Sequence, residues 1–351
     1  MTRERDAFYM GMALEVARRG AGRTAPNPMV GAVIVRDGIV LAEGWTQPPG
    51  QHHAEPHALA RLGGVATGAT MYVTLEPCCH HGRTPPCTHS ILASGLSRVV
   101  VGTVDPFPLV AGKGIAELRA AGLTVDVGAR EAECRRINLG FLRAVTEGLP
   151  EVNLKAGVSL DGRIATDAGE SRWITGPAAR DAAHRLRDQH DAVVVGVGTV
   201  LADNPSLTTR IPGGRDAVRV VLDTHLRTPP HAAIHSPTTL IYCAEDTPDA
   251  GNLGQVIRVP RAPGGLDMVA VARSLAARGL HRVLVEGGGR VHRAMLDAGV
   301  VDGIELFVNG RLLAGGPGFI AGPGYSLAEA PAFRVVTCTP VGDDLHLRLE
   351  R

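Results

Sequence analysis

The chain has 351 residues, of which 44% are hydrophobic and 20% charged, enough for two packed domains of ordinary size. Its 36 basic residues balance 35 acidic ones, and no basic block stands out, so nucleic acid is excluded as an expected partner. No apolar run approaches the ~18 residues of a membrane span. Arg3-Glu4-Arg5-Asp6 leads into a helical pattern rather than a signal peptide, so a cytoplasmic location is expected.

From the N-terminus, Phe8, Met12 and Val16 recur at helical spacing and Arg18-Arg19-Gly20 stops the run, predicting a helix over 6–20. Val30 to Val35, then Asp37-Gly38, then Ile39 to Ala42 predict a β-hairpin with a primed turn. Strands follow at 70–75, 98–104 and 123–127, with helices at 54–63, 86–94, 113–121 and 130–145. Strands alternating with helices imply an α/β layered sandwich. Glu147-Gly148-Leu149-Pro150 breaks the pattern, which places one domain at 1–147 and a second at 150–351. In the second, strands are predicted at 152–156, 192–196, 218–222, 239–242, 256–259, 283–286, 304–308 and 345–349. Helices are predicted at 177–188, 267–278 and 289–298, and Pro212-Gly213-Gly214 and Pro263-Gly264-Gly265 read as surface loops.

The cysteines do not form a disulfide framework. Cys78, Cys79 and Cys87 cluster, while Cys134, Cys243 and Cys338 are scattered. In a reducing compartment that favours metal binding or catalysis for the cluster. His52, His53, His57, His80, His81 and His89 share the same window. His53-Ala54-Glu55, Pro77-Cys78 and Cys87 have the residue types of a zinc nucleobase deaminase. One imidazole and two thiolates would hold a single zinc ion with a position open for water. Glu55 would carry protons rather than bind metal. His57, one helical turn beyond His53, is the alternative ligand. Cys78 is expected at a helix start, where its thiolate is favoured. Many such enzymes close the site with two intervening residues, but here eight separate Cys78 from Cys87. That loop carries His80, His81 and Arg83, suited to an anionic substrate group such as phosphate.

In the second domain, Val283 to Glu286 followed by Gly287-Gly288-Gly289 reads as a strand, a glycine turn and a helix. Such a turn is either a phosphate cradle or an ordinary tight connection. The G-x-G-x-x-G fingerprint is lacking, so a standard Rossmann site is not indicated.

His53-Ala54-Glu55-Pro56-His57-Ala58-Leu59, Thr74-Leu75-Glu76-Pro77-Cys78 through Cys87, and Pro26-Asn27-Pro28-x-Val30-Gly31 resemble the deaminase half of the bifunctional riboflavin biosynthesis deaminase/reductases. Cys79 stands where that family usually has Ser, and Pro56 where it has a β-branched aliphatic residue. The second half resembles the same family's reductase through Lys155 to Arg163, Gly169 to Thr175, Arg187, Gly198 to Arg210 and Val285 to Gly288. The resemblance implies a cytidine-deaminase-like three-layer α/β sandwich followed by a dihydrofolate-reductase-like α/β domain. It implies zinc on His53, Cys78 and Cys87, with Glu55 as proton shuttle and Asn27, His80 and Arg83 as substrate contacts. It further implies NADPH contacts at Gly157, Trp173, Thr199 and Asp203 and along Gly288, Gly289, Arg290, Val291, His292, Arg293 and Ala294. Substrate contacts are implied at Ser171, Arg187, Leu207, Arg210 and Glu286, and a homo-oligomer is expected.

Some of these residues have a second reading. Trp173 fits either a core aromatic or a cofactor contact. Arg187 and Arg210 are either surface charges or forks for a phosphorylated pyrimidine. The strand-end positions of Lys155 and Glu286 suit stabilisation of an opened sugar. The rival to a two-step enzyme is a nucleoside or RNA deaminase carrying a non-catalytic accessory domain.

Overall fold

Residues 3–248 and 254–351 are described by the computed structural model. The first helix, α1 (Arg3–Arg18), starts earlier than its apolar stripe because Glu4 and Asp6 occupy its first turn, where acidic groups favour the helix dipole. The hairpin forms as expected from β1 (Gly31–Arg36) and β2 (Ile39–Trp45). Asp37 and Gly38 both have positive φ, 52° and 84°, as a type I′ turn requires. There follow α2 (Ala54–Ala60), β3 (Thr70–Leu75), α3 (Cys87–Ala93), β4 (Arg98–Thr103), α4 (Lys113–Ala120) and β5 (Thr124–Val127). The predicted helix over 130–145 is instead two, α5 (Glu131–Ile137) and α6 (Leu139–Glu147). Asn138 breaks it: its side chain accepts from Met29 N at 2.7 Å and donates to Met29 O at 3.0 Å.

Among the described residues this sheet runs β2-β1-β3-β4-β5, with β3, β4 and β5 parallel. Met10 and Leu14 of α1 and Cys134 of α5 pack on one face against Val33, Tyr72 and Val100. Ala58, Leu59, Ile91, Ile115 and Leu118 of α2, α3 and α4 cover the other against Ile34, Met71, Val73 and Val99. The result is the three-layer sandwich. Burying each such aliphatic side chain stabilises the fold by about 1.5–3 kcal/mol. Gly44 sets the height of α2: a Cβ there would lie 2.3 Å from Ala54 O. The start of α2, which carries the His53-Ala54-Glu55 motif, therefore rests directly on β2.

The chain separates into two compact units, Met1–Gly148 and Leu149–Arg351. The second begins with β6 (Glu151–Ser159), α7 (Pro177–Gln189), β7 (Ala192–Gly196), α8 (Val197–Asp203), β8 (Val218–Leu222), β9 (Leu240–Ala244) and β10 (Gln255–Val259). It continues through β11 (Arg261–Ala262), β12 (Gly265–Leu266), α9 (Met268–Ala277), β13 (Arg282–Val285), α10 (Gly289–Asp297), β14 (Gly303–Asn309), β15 (Arg334–Val341) and β16 (Asp344–Glu350). The main sheet has the order β10-β9-β8-β7-β13-β6-β14-β16-β15 among the described residues. It is parallel through β14 and antiparallel at β16 and β15, a dihydrofolate-reductase-like α/β layer. Val271, Leu275 and Met295 of α9 and α10 fill one face; Val197 and Val200 of α8 and Leu186 of α7 fill the other.

Three features depart from expectation. Helix α8 forms where no element was predicted. Strand β15 pairs with β16 although nearly all its residues are exposed. Pro263-Gly264-Gly265 is not a free loop: it turns the small hairpin of β11 and β12, with Gly264 at φ +87°. The central strands β7, β13 and β6 lie side by side, and β7 and β13 end beside the middle of β6, which opens a crevice of the kind parallel sheets use for ligands.

Candidate active sites

In the first unit, His53, Cys78 and Cys87 converge from the cap of α2, the loop after β3 and the first residue of α3. Their ligand atoms all lie within 4.8 Å of one another. His53 Nδ1 is 3.6 Å from Cys78 Sγ and 3.3 Å from Cys87 Sγ. A tetrahedral zinc shell with ordinary Zn–N and Zn–S bonds has N···S edges of about 3.6 Å, so the donors fit zinc. With Nδ1 facing the thiols, Nε2 faces Thr84 Oγ1 at 3.4 Å. A metal on Nδ1 puts the ring proton on Nε2, and Thr84 then fixes the ring by accepting it.

Cys78 does not occupy a helix start, as was expected; Cys87 does. The thiolate on Cys78 is favoured instead by Cys87, whose thiol hydrogen-bonds to it and whose N–H donates to Sγ at 3.4 Å. With help from His53, these contacts bring the Cys78 thiol down to about 4. The Cys87 thiol, sharing its proton with Cys78 and buried, is pushed well up. Two thiols and one negative charge are what a cation at this point would neutralise. Glu55 is 3% exposed. Burial, and then the Cys78 charge, push its carboxyl up to about 7, a range suited to both taking and giving a proton.

His57 stands outside this group: its Nδ1 is turned to Trp45, 3.2 Å from N and 3.0 Å from O. A cleft of about 500 Å³ beside His53 is lined by Arg83, Thr84, Pro56 and Ser90. Asn27 and His80 are absent from its lining. Asn27 is half-buried in the turn before β1, and His80 packs on Phe107, ring centroids 5.7 Å apart. Cys79 turns away, its thiol 3.6 Å from Leu109 O. Glu76, 4% exposed, holds the adjoining loop. Its carboxylate accepts from Asp105 N at 3.2 Å, Gly112 N at 2.9 Å and Ile115 N at 3.1 Å. Sequence reasoning did not assign this role, nor that of Thr84.

In the second unit a cleft of about 710 Å³ opens at the ends of β7 and β13 and beside Lys155, which lies in the middle of β6 and not at its end as expected. Lys155, Ser171, Trp173, Arg187, Thr199, Asp203, Leu207, Arg210 and Glu286 all line it. Glu286 lies just past β13 rather than in the strand. It accepts from Arg187 Nε at 2.6 Å and Nη2 at 3.0 Å, and from Lys155 Nζ at 3.4 Å. The two cations hold its carboxyl well below the usual range despite burial. Arg187 also donates to Thr208 O at 3.0 Å. Its fork is therefore committed to Glu286, not free for a phosphate. Arg210 is exposed and bonds only hydroxyls, Thr208 Oγ1 at 3.3 Å and Ser206 Oγ at 3.1 Å. Trp173 is no core aromatic: it is 58% exposed, with Arg180 4.4 Å above its ring.

The Gly288–Ala294 run does not line this cleft. Gly288 caps α10 with open space around it, and no side chain caps the helix. His292 is buried between Phe319 O and Val285 O, at 2.8 and 3.2 Å. Arg293 pairs with Asp297, Val291 packs on Gly287, and Ala294 belongs to the apolar core. Arg290 is exposed. Any ligand reaching this turn would meet its backbone N–H groups rather than these side chains. Gly157 faces Thr175, whose nearest atom would be 3.2 Å from an added Cβ. His184, Arg172 and Arg180 also line the cleft but were not anticipated. His184 and Arg180 share the helical face of Arg187, a periodicity that was legible.

Residues 3–103 match the cytidine and deoxycytidylate deaminase zinc-binding region, and residues 150–347 match the RibD C-terminal domain. The riboflavin biosynthesis protein RibD of Escherichia coli K12 is 40% identical, over 98% of this chain and 99% of that protein. Its counterpart from Bacillus amyloliquefaciens is 41% identical, over 97% and 95%. The structure of Acinetobacter baumannii RibD superposes with a TM-score of 0.90 at 35% identity, covering 99% of both chains. A Thermotoga maritima structure described as a diaminohydroxyphosphoribosylaminopyrimidine deaminase/5-amino-6-(5-phosphoribosylamino)uracil reductase gives 0.89 at 34%, covering 100% of this chain and 99% of that one. The chain belongs to the bifunctional riboflavin biosynthesis deaminase/reductase family, and is an enzyme with hydrolase and oxidoreductase halves.

Proposed function

We propose that the first unit hydrolytically deaminates 2,5-diamino-6-(5-phosphoribosylamino)pyrimidin-4-one. The second would then reduce the ribosyl group of the product to ribityl with NADPH. The observation that carries the first half is the tetrahedral spacing of His53, Cys78 and Cys87 beside buried Glu55. Zinc held there supplies a Lewis acid that makes water nucleophilic near neutral pH. Glu55 takes a proton from the attacking water and returns protons to the ring nitrogen and the departing amine. Thr84 orients His53 through Nε2. Arg83, at the cleft mouth, faces the phosphate, with Asn27 and His80 as further substrate contacts.

In the second unit Trp173, Thr199, Asp203, Gly157 and the Gly288–Ala294 turn are the proposed cofactor contacts. The uncapped N-terminus of α10 suits a pyrophosphate. NADPH supplies the hydride. Lys155, held beside Glu286, stabilises the opened sugar, while Ser171, Leu207 and Arg210 hold the phosphorylated substrate. Arg187 acts by fixing Glu286.

The substrate is thus a small phosphorylated pyrimidine, and no helix among the described residues is long and apolar enough to cross a membrane. None of the six cysteines is joined in a disulfide, which fits a reducing cytoplasm. A homo-oligomer is supported by β15, an edge strand with Val335 54% exposed.

The test is anaerobic incubation with the diaminopyrimidine phosphate, with and without NADPH, followed by mass analysis. The amine should be lost without cofactor, and two hydrogens gained only with it. Deamination without any NADPH-dependent reduction would restore the accessory-domain reading.

A further inference from the structure

Helix α7 carries Arg180, His184 and Arg187 at spacings that place them on one stripe, and all three line the second cleft. Two of the three are spent. Arg180 lies over Trp173 and donates to Thr175 O at 2.9 Å, and Arg187 is forked on Glu286. The other ionisable groups in the cleft are also engaged. Lys155 pairs with Glu286, Arg172 with Asp203, and Arg210 with Ser206 and Thr208. Among the described residues, His184 is the one ionisable group lining the cleft with no hydrogen bond or ion pair. Its charged surroundings are Arg187, Arg210, Glu286 and Asp181.

We infer that His184 is a substrate-binding residue, donating a ring N–H to the phosphate of the molecule reduced in this cleft, alongside Arg210. This rests on reading the cleft as the reductase site for a phosphorylated substrate. Burial, then Arg187 and Arg210, hold the free imidazole below its ordinary range. Either charge form of the imidazole has an N–H to offer, and no protein group among the described residues lining the cleft accepts it. In this open, half-buried position the N–H is left to water, which a ligand oxygen can displace without breaking any protein contact. Arg210 has the complementary deficiency: a guanidinium bonded only to neutral hydroxyls, with no carboxylate to balance it. An anion bridging the two satisfies both. Arg187 cannot serve in place of His184, because releasing it would strip Glu286 of its bidentate partner.

The experiment uses the full-length chain, with NADPH oxidation followed as a function of the deaminated, phosphorylated substrate. His184→Ala should raise KM for that substrate about tenfold, the cost of one charge-assisted hydrogen bond. Its KM for NADPH and its kcat should stay within about twofold, and inorganic phosphate should weaken as a competitive inhibitor in parallel. His184→Gln, which keeps an N–H donor, should restore most of the affinity. Deamination by the same preparations reports that the chain is folded. In the unaltered protein, inorganic phosphate should move the His184 imidazole NMR resonance. An unchanged KM in His184→Ala, or a resonance that stays put at inhibitory phosphate, overturns the assignment. So does an equal loss in His184→Gln. If the unaltered protein oxidises no NADPH, the reductase reading itself has failed.

Discussion

Replacing Glu76 with Gln tests whether a carboxylate, not merely a polar group, holds the loop beside the metal cluster. Oε2 accepts from Asp105 and Gly112, and Oε1 from Ile115. An amide keeps its oxygen toward one set only. If it serves Asp105 and Gly112, its NH2 opposes the Ile115 N–H, donor against donor, in a buried position. One charge-assisted bond is then lost and two become neutral. At about 1.5–3 kcal/mol for a charged acceptor against roughly 1 kcal/mol for a neutral one, the loss spans about 2.5–7 kcal/mol, and about 3 kcal/mol is expected if the loop relaxes around the amide. For a unit of this size that lowers Tm by roughly 6–12 °C. Thermal and urea unfolding at fixed zinc concentration measure it, because bound metal shifts apparent stability by mass action. A Glu76→Gln chain within about 0.5 kcal/mol of the original would refute the reasoning, since three buried N–H groups would then be satisfied equally well without the charge.

Glu55→Gln should keep one metal ion per chain and lose deamination by at least about a hundredfold. Loss of metal in that variant would make Glu55 a ligand and sink its proton role. Glu286→Gln should destabilise by about 3–5 kcal/mol, because it leaves Arg187 and Lys155 facing one another without their counter-ion. The folded Glu286 carboxyl lies below its unfolded value. Its stabilisation is therefore present above the ordinary carboxylate range and lost as pH falls, and the urea midpoint of Glu286→Gln should depend less on acid. His190 follows the same sign for a different reason. Burial pushes it down to about 4 against an unfolded value near 6.5, so the unfolded chain takes up a proton first as pH drops. Between pH 6.5 and 4 this should remove up to roughly 3 kcal/mol; a proton inventory on unfolding at pH 5 that lacks this uptake would contradict it.

What was legible in the sequence follows from what is local. Strands 70–75, 192–196 and 218–222 lie at their predicted ends because short β-branched runs bounded by turns leave little freedom. The I′ turn was legible because only a few residue pairs tolerate two positive φ values. Asn138 was not recognisable as a helix break, because its partner Met29 is 109 residues away. Helix α8 was missed because Gly and β-branched residues argue against helix, whereas packing of Val197 and Val200 on the sheet overrides them. The grouping of His53, Cys78 and Cys87 was readable as residue types at motif spacing. The clamp on Glu76 and the capture of Arg187 by Glu286, 99 residues apart, exist only after folding. Even so, the helical face joining Arg180, His184 and Arg187 could have been read.

The two tryptophans of this chain fall one to each unit, and their settings differ. Trp45 is half-buried, edge-on to His57 at 4.7 Å and flanked by the guanidinium groups of Arg19 and Arg61. Trp173 stands in the open cleft under Arg180. Each half of the molecule thus carries its own intrinsic fluorophore, one shielded and one bathed in solvent. Substituting either by Phe leaves a single emitter. If the proposed NADPH site is right, emission from Trp173 alone should be quenched when NADPH is added, by contact and by energy transfer to the reduced nicotinamide. Trp45 alone would follow the unfolding of the layer that brings His53, Cys78 and Cys87 together, without labels and in the same cuvette as the chemistry.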